Sequence, residues 1–250
     1  MAINLSQLKK PDGNRPIIAT LVGEAGLGKT TLASMFPNPV FIRTEDGTMS
    51  LSGRDDVSLF DLANSSNDVL DQIEALATQE HNFKTVVIDS ITQLATIIEK
   101  EIVEADPKAK SINQAGGGYG AGYNTAATMH GKVREWIGAL AYERGLNVIF
   151  IGHADTETMD LPDLDPYTRY TIRMHKKSLP HYIDNVDMVA HIRLKTFTRG
   201  EGDKKRAIST GEREIICFPV ASSVTKNRFG VTEPIPFTLD KNPFALFCAN

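Results

Sequence analysis

The chain has 250 residues, 41% hydrophobic and 23% charged, a length and apolar share that suit one α/β domain and exclude a low-complexity or disordered polymer. Its formal net charge of −4 excludes a surface coated in positive potential, though not local contacts to nucleic acid. No run nears the roughly 18 apolar residues of a membrane span, and the two cysteines, Cys217 and Cys248, have neither metal-site nor disulfide spacing. The N-terminus lacks the charged start and apolar core of a signal peptide, so a cytoplasmic protein without membrane contact is expected.

In chain order, residues 1–15 form a short polar lead whose Ile3, Leu5 and Leu8 either dock on a neighbouring subunit or fray; residues 16–250 are expected to form one domain. The run from Arg15 to Val22 ends apolar and reads as a buried parallel strand. Gly23-Glu24-Ala25-Gly26-Leu27-Gly28-Lys29-Thr30 follows and matches G-x-x-x-x-G-K-[ST] in full. Thr31 to Phe36 continues as a helix that Pro37 stops. Strand, glycine loop and helix together wrap nucleoside triphosphate phosphates: glycines bring consecutive N–H groups onto phosphate oxygens. Lys29 is then expected between the β- and γ-phosphates and the Thr30 hydroxyl on Mg²⁺, with ATP as the nucleotide.

Val40-Phe41-Ile42 reads as a second strand closing on Thr44-Glu45-Asp46-Gly47, and Val57 to Phe60 as a weaker one. Val69, Leu70, Ile73, Leu76 and Ala77 share a helical face after Ser66. Lys84 to Ser90 is an apolar strand ending in Asp89, the place of a second, Mg²⁺-orienting acid. Ile91, Leu94, Ile98 and Ile102 stripe the next helix, with Pro107 beyond its end. Gln114 to Tyr123 is a glycine loop, and a long helix follows with Met129, Val133, Trp136, Ile137 and Leu140 inward and Gly145 at its close. Asn147 to Ile151 is the clearest core strand, ending at Gly152-His153. An acidic loop then carries Asp155, Glu157, Asp160, Asp163 and Asp165, followed by Arg169, Arg173, Lys176 and Lys177. Beyond it strands dominate, at Val186–Lys195, Arg213–Pro219 and Ala221–Lys226, with a turn at Gly200-Glu201-Gly202-Asp203. Glu45 is the candidate base for attacking water, with Asp46 as its competitor. His153 is placed to contact the γ-phosphate, and Lys226 and Arg228 are either surface charges or fingers reaching a neighbouring subunit's ATP.

Taken in order, these residues resemble the RecA core, the ATPase fold of RecA/RadA recombinases and hexameric replicative helicases. Phe41-Ile42-Arg43-Thr44-Glu45 is similar to RecA's F-I-D-A-E, Val87-Ile88-Asp89-Ser90 to V-V-D-S, Ile149-Phe150-Ile151-Gly152-His153 to I-F-I-N-Q, and Lys226-Asn227-Arg228 to K-N-K or the helicases' K-N-R. The resemblance implies an α/β fold with a mostly parallel central sheet flanked by helices and antiparallel strands added at its C-terminal end. It also implies a ring or filament of identical subunits and two DNA-facing loops. Their contacts to single-stranded DNA would come from Tyr119 and Tyr123 in the first, and from Tyr167, Arg169, Tyr170, Arg173, Lys176 and Lys177 in the second, cations on phosphates and aromatics on bases. His153 departs from the glutamine of RecA. A stripped core of this kind looks most like bacteriophage-encoded AAA-type nucleotide-binding proteins, some of which act as single-strand annealing recombinases. The expectation is therefore an ATP-dependent recombinase in the bacterial host cytoplasm, with a single-strand binding protein as a further partner. The alternatives are a helicase or helicase-loading motor and an ATP-switched assembly protein without DNA affinity.

Overall fold

A computed structural model describes residues 15–199 and 206–248. The apolar residues of the N-terminal lead and the expected turn at Gly200–Asp203 lie outside the described residues. The first half alternates strand and helix: β1 (Ile18–Gly23), α1 (Lys29–Ser34), β2 (Pro39–Arg43), β3 (Ser58–Leu59), α2 (Ser66–Thr78), β4 (Thr85–Asp89), α3 (Ile91–Glu104) and α4 (Ala121–Glu143). The second half is mainly strand: β5 (Asn147–Leu161), β6 (Leu164–Ile172), the single turn α5 (Pro180–Ile183), β7 (Met188–Arg199), β8 (Arg206–Ile216), β9 (Lys226–Asn227) and β10 (Ile235–Phe237).

The sheet runs β10-β8-β7-β1-β5-β4-β2-β3. From β3 to β7 every pairing is parallel, whereas β8, β9 and β10 pair antiparallel. Alternation along each strand splits the apolar residues between two faces. On one face Ile18, Val22, Ile88, Val148 and Phe150 meet Val69 and Ile73 of α2, Leu94 and Ile98 of α3, and Val133 and Ile137 of α4. On the other, Ala19, Leu21, Val87 and Ile149 meet Leu32, Ala33 and Phe36 around α1, closed by Phe237 and Phe244 from the chain's C-terminal part. The sheet is thus buried on both sides, which explains why its parallel strands read as near-continuous apolar runs.

Local chemistry sets the helix ends. Ser65 accepts from Asp68 N at 3.0 Å and the Asp68 carboxylate accepts from Ser65 N at 3.0 Å, a reciprocal cap that starts α2. Ser90 caps α3 by accepting from Gln93 N. Gly145, at φ +71°, closes α4 one residue after its cap. Trp136 departs from the expected inward face: it is 37% exposed, and Lys132 Nζ lies 4.9 Å from its ring centre. Its neighbour Ile137 takes the core position. No helix among the described residues is long and apolar enough to cross a membrane.

The expected acidic loop after His153 is a correction. β5 runs on to Leu161 and turns back as β6, so Ala154 to Ile172 is an antiparallel hairpin leaving the sheet. Threonines at 156, 158, 168 and 171 supply β-branched residues along both arms. The carboxylates project from this hairpin instead of from a surface loop.

Candidate active site

The site follows from strand order. β2, β4, β5 and β1 lie side by side, with Arg43 opposite Asp89, Asp89 opposite Ile151, and Gly23 opposite His153. Their C-terminal ends therefore deliver Glu45, Asp89, His153 and the glycine loop to one edge, the crevice where open α/β sheets hold ligands.

Each loop residue has a distinct reason. A side chain on Gly23 would meet Ile192 O of β7 at 2.7 Å, so only glycine lets the loop leave between two parallel neighbours. Gly28 has φ +92°, and a Cβ there would lie 2.6 Å from Leu239. Leu27 turns into the core and anchors the loop, so any phosphate contact it makes is through backbone. Glu24, Ala25 and Gly26 are exposed. Lys29 is buried and donates to Gly23 O at 2.9 Å and Glu24 O at 2.8 Å. Burial lowers its pKa below the ordinary lysine value, while the charges of Asp89 and Glu45 oppose that fall. A cavity of about 490 Å³ is lined by Gly26, Gly28, Lys29, Thr30 and Thr31 on the loop side and by Glu45, Asp89 and His153 opposite.

The carboxylates have different environments. Asp89 Oδ2 accepts from Thr30 Oγ1 at 2.8 Å. Burial pushes the Asp89 carboxyl above its ordinary range, with the Thr30 bond opposing. Two hard oxygens side by side at a buried acid suit Mg²⁺, which prefers one or two protein oxygens alongside phosphate and water. Glu45 Oε1 lies 3.0 Å from His153 Nε2. This bond, joined by one from Ser90 and by the charges of His153 and Lys29, holds the Glu45 carboxyl below its ordinary range against the effect of burial. Asp46 stands on the cavity rim, 80% exposed and 3.8 Å from Arg43.

Two threonines that the motif reading passed over position these groups. Thr44 donates through Oγ1 to Ser90 O at 2.7 Å and accepts from Ser90 N at 2.9 Å, clamping the end of β2 to that of β4 beside Glu45. Thr92 Oγ1 accepts from His153 N at 3.0 Å. Their signal was adjacency alone: Thr44 precedes Glu45, and Thr92 lies three residues after Asp89.

The remaining candidates divide. Lys226 and Arg228 lie at the opposite end of the sheet from the glycine loop, because β9 pairs with the first residues of β7. Lys226 Nζ donates to Asp184 O at 2.5 Å. Arg228 pairs with the buried Asp187 at 3.0 Å, and Arg15 pairs with the same carboxylate. Neither Lys226 nor Arg228 belongs to this chain's own cavity. Tyr123 is a correction to the expected loop: it lies in the first turn of α4, stacked on His175 with ring centres 3.8 Å apart. Tyr119 remains in the glycine loop, fully exposed at φ +53°. Lys177 donates to Gly120 O at 3.4 Å and to Asn124 Oδ1 at 2.6 Å, so the two segments expected to face DNA adjoin. Lys176 is exposed. Arg169 is paired with Glu157 across the hairpin at 2.7 Å. Arg173, just after β6, borders both a cavity beside Glu45 and His153 and another beside Tyr123 and His175.

Comparison with known families fits this geometry. The family described as AAA domain matches residues 15–229, from the residue before β1's lead-in to just beyond Arg228, and the chain belongs to that family. No curated protein matches the chain.

Proposed function

We propose that this AAA-domain chain hydrolyses ATP with Mg²⁺ and uses the cycle to bind single-stranded DNA, as a recombinase promoting annealing or strand exchange. The hydrolytic reading rests on one observation: Lys29, Asp89, Glu45 and His153 converge on a single cavity from adjacent strand ends. Lys29 would exchange its bonds to the loop carbonyls for β- and γ-phosphate oxygens. Thr30 and Asp89 would hold Mg²⁺, which neutralises phosphate charge when bound. Glu45, kept ionised, accepts the proton of attacking water, and His153 fixes the direction of that carboxylate.

The DNA reading rests on the face where the glycine loop meets the segment after β6, with Tyr119 open to stacking and Lys176 to phosphate. Placement of Lys226 and Arg228 away from their own cavity suits a homo-oligomer in which they approach the next subunit's nucleotide. Fluorescence anisotropy of a labelled oligothymidylate, with and without a non-hydrolysable ATP analogue, tests it: nucleotide-dependent binding that weakens with salt is expected.

One observation favours a second reading. The hairpin bears Asp155, Glu157, Asp160, Asp163 and Asp165 against Arg169 alone, and that arginine is already paired. An acidic projection repels phosphates and suits a basic protein surface, as in an ATP-switched assembly protein. Flat anisotropy under all nucleotide conditions would replace the recombinase reading with this one.

A further inference from the structure

Arg173 follows the last residue of β6, and its N–H donates to His153 O at 2.9 Å, which places it beside the histidine that contacts Glu45. Its side chain lines a second cavity of about 610 Å³ together with Glu24, Ala25, Glu45, Thr92 and His153. This cavity shares Ala25, Glu45 and His153 with the one that contains Lys29. The two are neighbouring compartments of one crevice.

Charge makes the position informative. The carboxylates bordering the two compartments, Glu24, Glu45, Asp46 and Asp89, outnumber Lys29, yet the proposed ligand is itself strongly anionic. Arg173 is the further cationic side chain lining them among the described residues. It has no carboxylate within ion-pair distance among those residues, and its side chain makes one long bond, 3.4 Å to Ala154 O. Arg54, Arg169, Arg193 and Arg228, by contrast, are each committed to an acid. Burial lowers the Lys29 pKa, and the nearby Arg173 charge adds to that fall, so the two cations sense one another across the crevice.

We propose that Arg173 recognises the terminal phosphate of a bound triphosphate within its own subunit, making the site discriminate triphosphate from diphosphate. This rests on the reading of the crevice as an ATP site. The guanidinium presents several donors in a planar fork that suits phosphate oxygens, and its exposed, weakly bonded state leaves it free to turn toward them. Arg173 also borders a third cavity, of about 370 Å³, with Tyr123 and His175. Loss of the terminal phosphate would thus release a side chain standing between the nucleotide and the α4 face.

The test is calorimetric titration of the full chain with adenylyl imidodiphosphate and with ADP, both with Mg²⁺, for wild type, Arg173→Ala, Arg173→Lys and Lys29→Ala. Loss of a charge-assisted phosphate contact weakens binding by roughly ten- to a hundred-fold. Arg173→Ala should lose that much for the triphosphate analogue and change about twofold or less for ADP, with Arg173→Lys recovering part of the loss. Lys29→Ala should weaken both. Equal loss of both nucleotides in Arg173→Ala, or loss of neither, overturns the assignment while leaving the ATP site standing. Wild type that binds neither nucleotide removes the ATP site and the assignment with it. Unchanged thermal melting in Arg173→Ala, expected for an exposed residue with one weak bond, separates recognition from misfolding.

Discussion

The 3.0 Å contact between His153 and Glu45 gives the histidine at this strand end a carboxylate partner. A side chain bonded to the Glu45 carboxylate, the base for water in the proposed reaction, sets the orientation and proton affinity of that carboxylate directly. Its bond is the largest cause holding Glu45 below its ordinary value of 4.5. If Glu45 is the base, its ionised form is the active one, so turnover should be retained above the lowered pKa and lost as pH falls through it. His153→Ala removes the bond, and the acid limb of kcat should move to higher pH, making the relative loss greater at pH 5 than at pH 7.5. A kcat–pH profile for the two proteins checks this, and an unmoved acid limb would show that His153 acts elsewhere. These residues were legible in the sequence because each ends an apolar strand. Their mutual contact was not, since residues 108 positions apart meet only through the order in which strands pair.

At the scale of elements, α4 separates what periodicity predicts from what packing decides. Trp136 and Ile137 are adjacent and both fall near the apolar stripe, yet one is 37% exposed and the other is fully buried. Ile137→Ala should cost about 2–5 kcal/mol through lost burial and a residual cavity. Trp136→Ala should cost about 1 kcal/mol or less, because it gives up a surface cation–π contact and partial burial. Chemical denaturation of both variants measures the difference; equal losses would place Trp136 in the core. The hairpin was the larger miss. Aspartate and glutamate are disfavoured in strands, and five of them between Asp155 and Asp165 read as a solvated loop. What outweighed them was cross-strand pairing: Thr156 faces Tyr170, Thr158 faces Thr168, and Glu157 faces Arg169 with a 2.7 Å ion pair. The parallel strands were easier to read because burial on both faces leaves little room for polar residues. The antiparallel strands have fewer such constraints: β8 runs Arg206–Ile216 where Arg213–Pro219 was expected, β9 is only Lys226–Asn227 where Ala221–Lys226 was expected, and β10 was not anticipated.

For the whole molecule, the glycine loop and the Lys226–Arg228 segment occupy opposite ends of one sheet. If subunits stack so that one end meets the other, each cavity gains cations from its neighbour. Arg228→Ala should then lower turnover by about 10³-fold, and mixing it with Lys29→Ala should restore some activity through interfaces with one intact site. Asp187 keeps Arg15 and the Ile18 N–H in the variant, so the fold should survive, as a melting curve would show. Turnover independent of protein concentration, with no complementation, would mark both residues as structural. The central claim, hydrolysis of ATP by a carboxylate aimed from the end of β2, is tested most directly by measuring nucleotide affinity and phosphate release for Glu45→Gln beside wild type. The substitution preserves shape and removes the base, so affinity should stay within about threefold while release falls by about 10²- to 10⁴-fold. Wild-type phosphate release from Glu45→Gln would contradict it.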